Sequence, residues 1–180
     1  FLLPLLLQVV LGYSPSQAGW MLAPIAVGAL LTKPLVTRIV KRFGYRKTLA
    51  GNTLLIGVNI MLLSQLNQTT PIWLSVPFLT FMGACNSLQF STMNTISIAR
   101  LRPSQTSSGN SLLSVNQQLA ISFGIGFGAM LLHLLTPARA SLAQTQTAFS
   151  YSFIILGIMT ILSGLYFLRL HRFDGKGLYQ

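Results

Sequence analysis

The stretch from Leu35 to Leu49, LVTRIVKRFGYRKTL, decides how the chain is read. It carries Arg38, Lys41, Arg42, Arg46 and Lys47, five of the twelve Lys and Arg residues in the chain. Apolar runs able to cross a bilayer flank it on both sides. A short basic loop between two such runs stays on the cytoplasmic side, so this stretch predicts one loop inside and forces the others to alternate.

The rest of the composition supports a membrane setting. The chain has 180 residues, of which 52% are hydrophobic and only 7% charged. A water-soluble domain carries about 25% charged residues. So few charges cannot cover a solvated surface, and an integral membrane protein is expected. The net charge of +11 taken alone would suggest nucleic acid. The basic residues are confined to short clusters between apolar runs, however, as orientation signals are, and no nucleic-acid partner is expected. Cys85 is the one cysteine, so there is no disulfide framework.

Outward from the basic stretch, six spans are expected. They cover about 1–11, 20–40, 48–66, 72–99, 112–135 and 148–168, with a basic cytoplasmic loop at 41–47 and a cytoplasmic tail at 169–180. The first span has about eleven residues where a helix needs about twenty, so it is expected to be cut from a longer protein. The loops after spans two and four, together with the tail, hold every Lys and Arg except Arg139, Lys33 and Arg38, the last at the inner end of span two. The expectation is an all-α, multi-pass bundle with a cytoplasmic C-terminus.

No catalytic constellation is present. Asp174, the chain's one acid, lies in the tail, so paired carboxylates are excluded among the spans. His133 and His171 sit near opposite ends of the expected topology and cannot share a metal. No Gly-rich phosphate loop occurs. No enzyme activity, cofactor or metal is expected.

Span four is the most polar. Asn86, Gln89, Met93 and Ser97 step by three or four and share one helix face, with Asn94 beside it. In lipid such groups seek water or polar partners. One reading is a face lining a water-filled substrate cavity; the other is hydrogen bonding between helices. Lys33 lies within span two, where a charge needs a partner, an anionic substrate or a path to the interface. Gln8 in span one is a further cavity candidate. In span five Ala120, Gly124 and Gly128 are spaced by four, a pattern that lets helix backbones approach closely. Asn116, Gln117 and Gln118 open that helix, as a gate or as a solvated end. His133 is an interfacial residue or a proton carrier.

Thr37 to Lys47, TRIVKRFGYRK, resembles the loop motif of the major facilitator superfamily, G-x-x-x-D-R-x-G-x-R-K. Arg42, Gly44, Arg46 and Lys47 match; Thr37 replaces the Gly and Lys41 the Asp. Together with LPLLLQVVLGYSPSQAGWMLAP (3–24), MNTISIA (93–99) and SSGNSLLSVNQQL (107–119), the chain resembles the second half of a fourteen-span drug–proton antiporter of the EmrB/QacA type. The resemblance implies a six-helix bundle facing a missing N-terminal bundle, with nested inverted repeats. It implies that the first and fourth spans line the cavity and that the second and fifth pack between halves. It also implies small-molecule substrates exchanged for protons across the bacterial inner membrane, by alternating access. Export of a metabolite anion, or a non-transporting scaffold or sensor with this fold, are the alternatives.

Overall fold

A computed structural model describes residues 1–67, 70–98 and 106–169. Arg100, Arg102, His171, Arg172, Asp174 and Lys176 lie outside the described residues. The described residues form five helices: α1 (Leu2–Val9), α2 (Pro15–Leu62), α3 (Ile72–Ile98), α4 (Thr106–Leu135) and α5 (Leu142–Phe167), with a 3-10 turn at Leu63–Gln65. No strand occurs among them.

The basic stretch is not an extended loop. α2 runs through it and breaks at one residue, Gly44, with φ 77° and ψ 159°. An L side chain is disfavoured at positive φ, whereas glycine adopts it freely, so the chain reverses between two membrane-length arms at the one residue that permits it. The expected span two therefore continues to Phe43 and span three begins at Tyr45. Arg42 stacks over Phe43 at 5.6 Å at this break.

The expected loop at residues 12–19 is also shorter, because Ser14 starts α2 directly. Its hydroxyl accepts from the Gln17 N–H at 3.3 Å while the Gln17 side chain accepts from the Ser14 N–H at 2.9 Å. The same reciprocal cap, Ser141 with Gln144, starts α5 at Leu142, ahead of the expected 148. An S-x-x-Q pair satisfies two orphan N–H groups at once, and it fixes both helix starts. α4 likewise begins at Thr106, ahead of the expected 112.

Among the described residues, three helical segments are long and apolar enough to cross a membrane: Pro15–Gln65, which holds both arms, Thr106–Leu135 and Leu142–Phe167. α3 has comparable length, 27 residues or about 40 Å, but the amides and hydroxyls of its second half dilute its apolar character.

Glycines set how closely the helices approach. Gly28 in the first arm of α2 and Gly83 in α3 each face the other helix's backbone: a Cβ on Gly28 would collide with the Thr80 carbonyl, and one on Gly83 with the Ile25 carbonyl. The second arm and α5 meet in the same way at Gly57 and Gly157. α1 packs into the gap these contacts leave, burying Leu2, Leu3, Leu6 and Leu7 against Ala18, Leu79, Phe149 and Phe153.

Candidate functional site

α3 places its polar residues on two faces that do different work. One face ties helices together. The Ser87 hydroxyl donates to the Ala29 carbonyl at 3.0 Å, and Gln117 Nε2 donates to Asn94 Oδ1 at 2.6 Å. Asn94 thus bridges α3 to α4, and Gln117 is an interhelical partner; Asn116 and Gln118 are exposed.

The second face carries Met82, Asn86, Gln89 and Met93. Asn86 stands near the middle of α3, about 21 Å from Ile72. It is exposed and makes no hydrogen bond among the described residues. Met93 is exposed as well. One turn along the same face from Asn86, Met82 borders a groove of about 340 Å³ between the helices. Phe1, Leu2 of α1, Ile60 of α2, Ile121 and Gly124 of α4 and Leu156 of α5 also line it.

Gln89 is half-buried and held on both sides of its amide. Asn52 Nδ2 donates to Gln89 Oε1 at 2.9 Å and to the Cys85 carbonyl at 2.8 Å, while Gln89 Nε2 donates to Thr53 Oγ1 at 2.8 Å. Asn52 and Thr53 are not among the residues the sequence singles out for a site. The signal for them is the row Thr48, Asn52 and Asn59 on one face of the second arm, polar residues spaced as a helix face inside an apolar run. All three are buried, and Thr48 Oγ1 and Asn59 Oδ1 have no hydrogen-bond partner among the described residues.

The remaining expected residues lie apart from this face. Gln8 is exposed on α1. Lys33 is exposed on the first arm, about 16 Å before Gly44, with no ion pair among the described residues. His133 and Arg139 are exposed near the end of α4. In α4 the expected small-residue row is Ala120, Gly124 and Gly128. Only Gly128 is buried, and a Cβ there would lie 3.7 Å from Leu2, whereas a Cβ on Gly124 would meet nothing within 4 Å and Ala120 is exposed. Inside the bundle, among the described residues, tight backbone approaches are made by Gly28, Gly83, Gly57 and Gly157. Arg46 is half-buried, and Arg42, Lys47 and Gly44 are exposed around the break.

Among the described residues no three His, Cys, Asp or Glu side chains gather to hold a metal. What the arrangement offers is a half-open amide face near the middle of α3, among long apolar helices.

Comparison with known proteins makes this specific. The family model of the Major Facilitator Superfamily matches residues 1–178, and the chain belongs to that family. It is 34% identical over 178 residues to "Probable transport protein HsrA" of Haemophilus influenzae, covering 99% of this chain and 38% of that protein. It is 36% identical to "Putative multidrug resistance protein MdtD" of Pectobacterium atrosepticum and 38% identical to the protein of the same name in Escherichia coli, covering 94% of this chain in each case. The chain spans between 36% and 38% of the length of these relatives. Family and relatives point to a multi-pass membrane protein of transport, not to an enzyme.

Proposed function

We propose that the chain is the second six-helix bundle of a proton-coupled multidrug efflux antiporter of the bacterial inner membrane, working by alternating access with an N-terminal bundle. The observation that carries this reading is Asn86: an exposed amide at the middle of a membrane-length helix, without a partner among the described residues, on one face with Gln89 and Met93. An amide facing lipid at that depth forfeits its hydrogen bonds at a cost of several kcal/mol, so the face meets water and substrate. The names of the relatives support drug-like cargo. The open face of α4 around Leu119, Phe123 and Gly126 is where the N-terminal bundle packs. The basic break at Arg42, Arg46 and Lys47 lies in the cytoplasm, as does the C-terminus.

The test is Asn86→Leu in the complete gene product. Dye efflux from cells falls while the amount of protein in the membrane is unchanged; unchanged efflux rejects the site. Lys33 supports a second reading, export of a metabolite anion, because the described residues contain no acid to pair with it. In that case Lys33→Gln weakens anion transport more than transport of cationic dyes.

A further inference from the structure

Gln89 is the one amide of the exposed α3 face whose orientation its neighbours dictate. The Cys85 carbonyl only accepts, so Asn52, 2.8 Å away, presents its NH2 group there. The second hydrogen of that NH2 goes to Gln89 at 2.9 Å, so the Gln89 atom facing Asn52 is the oxygen. The Gln89 NH2 group therefore points the other way. One of its hydrogens goes to Thr53 Oγ1 at 2.8 Å, which accepts because its own proton is given to the Leu49 carbonyl at 2.8 Å. Reversing either amide would set oxygen against oxygen or NH2 against NH2.

One strong donor remains. The second Gln89 N–H has only the Met93 sulfur within reach, at 3.9 Å, and a thioether is a weak acceptor. Met93 is exposed and Gln89 half-buried, so this N–H lies at the open edge of the face shared with Asn86.

We propose that Asn52 and Thr53 lock Gln89 as a hydrogen-bond donor toward the cavity, so that the site favours substrates carrying an acceptor group, such as an ester, ketone or carboxylate oxygen, over apolar cations that have none. Asn52 is a positioning residue: it acts through Gln89. This rests on the transporter reading and names the substrate chemistry at that face.

The experiment uses two matched probes, benzyltriphenylphosphonium, which has no acceptor, and (ethoxycarbonylmethyl)triphenylphosphonium, which adds an ester. Binding to the complete gene product in detergent is measured by calorimetry. A hydrogen bond of ordinary net strength gives the ester probe a preference of about fivefold. Gln89→Met keeps the volume and removes the donor; it abolishes the preference, read as the ratio of the two affinities. Asn52→Leu leaves Gln89 in place but releases its amide to turn, and lowers the preference to below about twofold. Thr53→Ser keeps the acceptor and keeps the preference. A merely structural network would weaken both probes equally. Equal affinity of the two probes for the wild type, or a preference that survives Gln89→Met, overturns the donor assignment and leaves the transporter reading standing. Binding of neither probe overturns both the assignment and the cavity reading it rests on.

Discussion

Gly57 and Gly157 face each other across the contact between the second arm of α2 and α5. A Cβ on Gly57 would lie 2.9 Å from the Gly157 carbonyl oxygen, and one on Gly157 would lie 2.7 Å from the Gly57 carbonyl oxygen. Neither helix has room for a methyl group, so the pair sets the spacing of the two backbones. Lipid supplies no hydrophobic drive for helix association, and close backbone packing of this kind takes its place.

Gly57→Ala and Gly157→Ala are expected to destabilise the bundle by about 1–3 kcal/mol each, the usual cost of overpacking a tight contact. Gly51→Ala meets open space and is expected to be neutral or stabilising by up to about 1 kcal/mol, from helix propensity alone. Thermal unfolding of the complete gene product in detergent ranks the variants. Equal melting temperatures for Gly57→Ala and Gly51→Ala would contradict the packing explanation.

The break at Gly44 has φ 77° and open space around its Cα. Gly44→Ala therefore costs backbone strain and no clash, about 1–3 kcal/mol. Gly44→Asn costs about as much, since with ψ 159° the residue lies outside the left-handed helical region that Asn tolerates. Melting temperatures unchanged in both variants would reject backbone conformation as the reason for glycine.

Asn94 and Asn86 separate packing from function. Asn94→Leu leaves Gln117 unpaired and is expected to cost about 1 kcal/mol of stability, near the usual value for interhelical hydrogen bonds in membranes. Asn86→Leu loses no partner among the described residues and is expected to leave the melting temperature unchanged while altering efflux. Measuring both variants by unfolding and by dye efflux tests the division of the helix into a packing face and a cavity face.

The orientation is tested by labelling. In a background with Cys85 replaced by Ser, a cysteine at exposed Phe43 is expected to react with an impermeant maleimide only when the cytoplasmic side is opened. A cysteine at exposed Ala138 is expected to react in intact cells. The reverse pattern would contradict the topology.

Much of the fold is legible in the sequence because it is written in long, simple signals. Apolar runs mark the helices, and the clustered Arg38 to Lys47 marks a reversal. The helix starts depart from the sequence reading where local chemistry overrides composition: the caps at Ser14 and Ser141 pull polar residues into helices that a hydropathy reading leaves in loops. The site is legible in part. Asn86 and Met93 lie open on the face that the spacing indicates. Whether Gln89 and Asn94 bind a ligand or another helix depends on partners far away in sequence, Asn52 and Gln117, which spacing along α3 does not reveal. The small residues of α4 show the same limit. Spacing by four marks helices that can approach closely, but Gly28, Gly83, Gly57 and Gly157 make the tight approaches, because contact depends on what stands opposite.

The most direct test of the central claim places the complete gene product in proteoliposomes under an inward proton gradient and records proton flux as compounds are added. Multidrug antiport predicts flux on addition of lipophilic cations, lost in Asn86→Leu. Flux triggered only by small carboxylates would move the charge preference to Lys33 and contradict multidrug antiport. No flux with either class would contradict the proposal that this bundle belongs to a proton-coupled transporter.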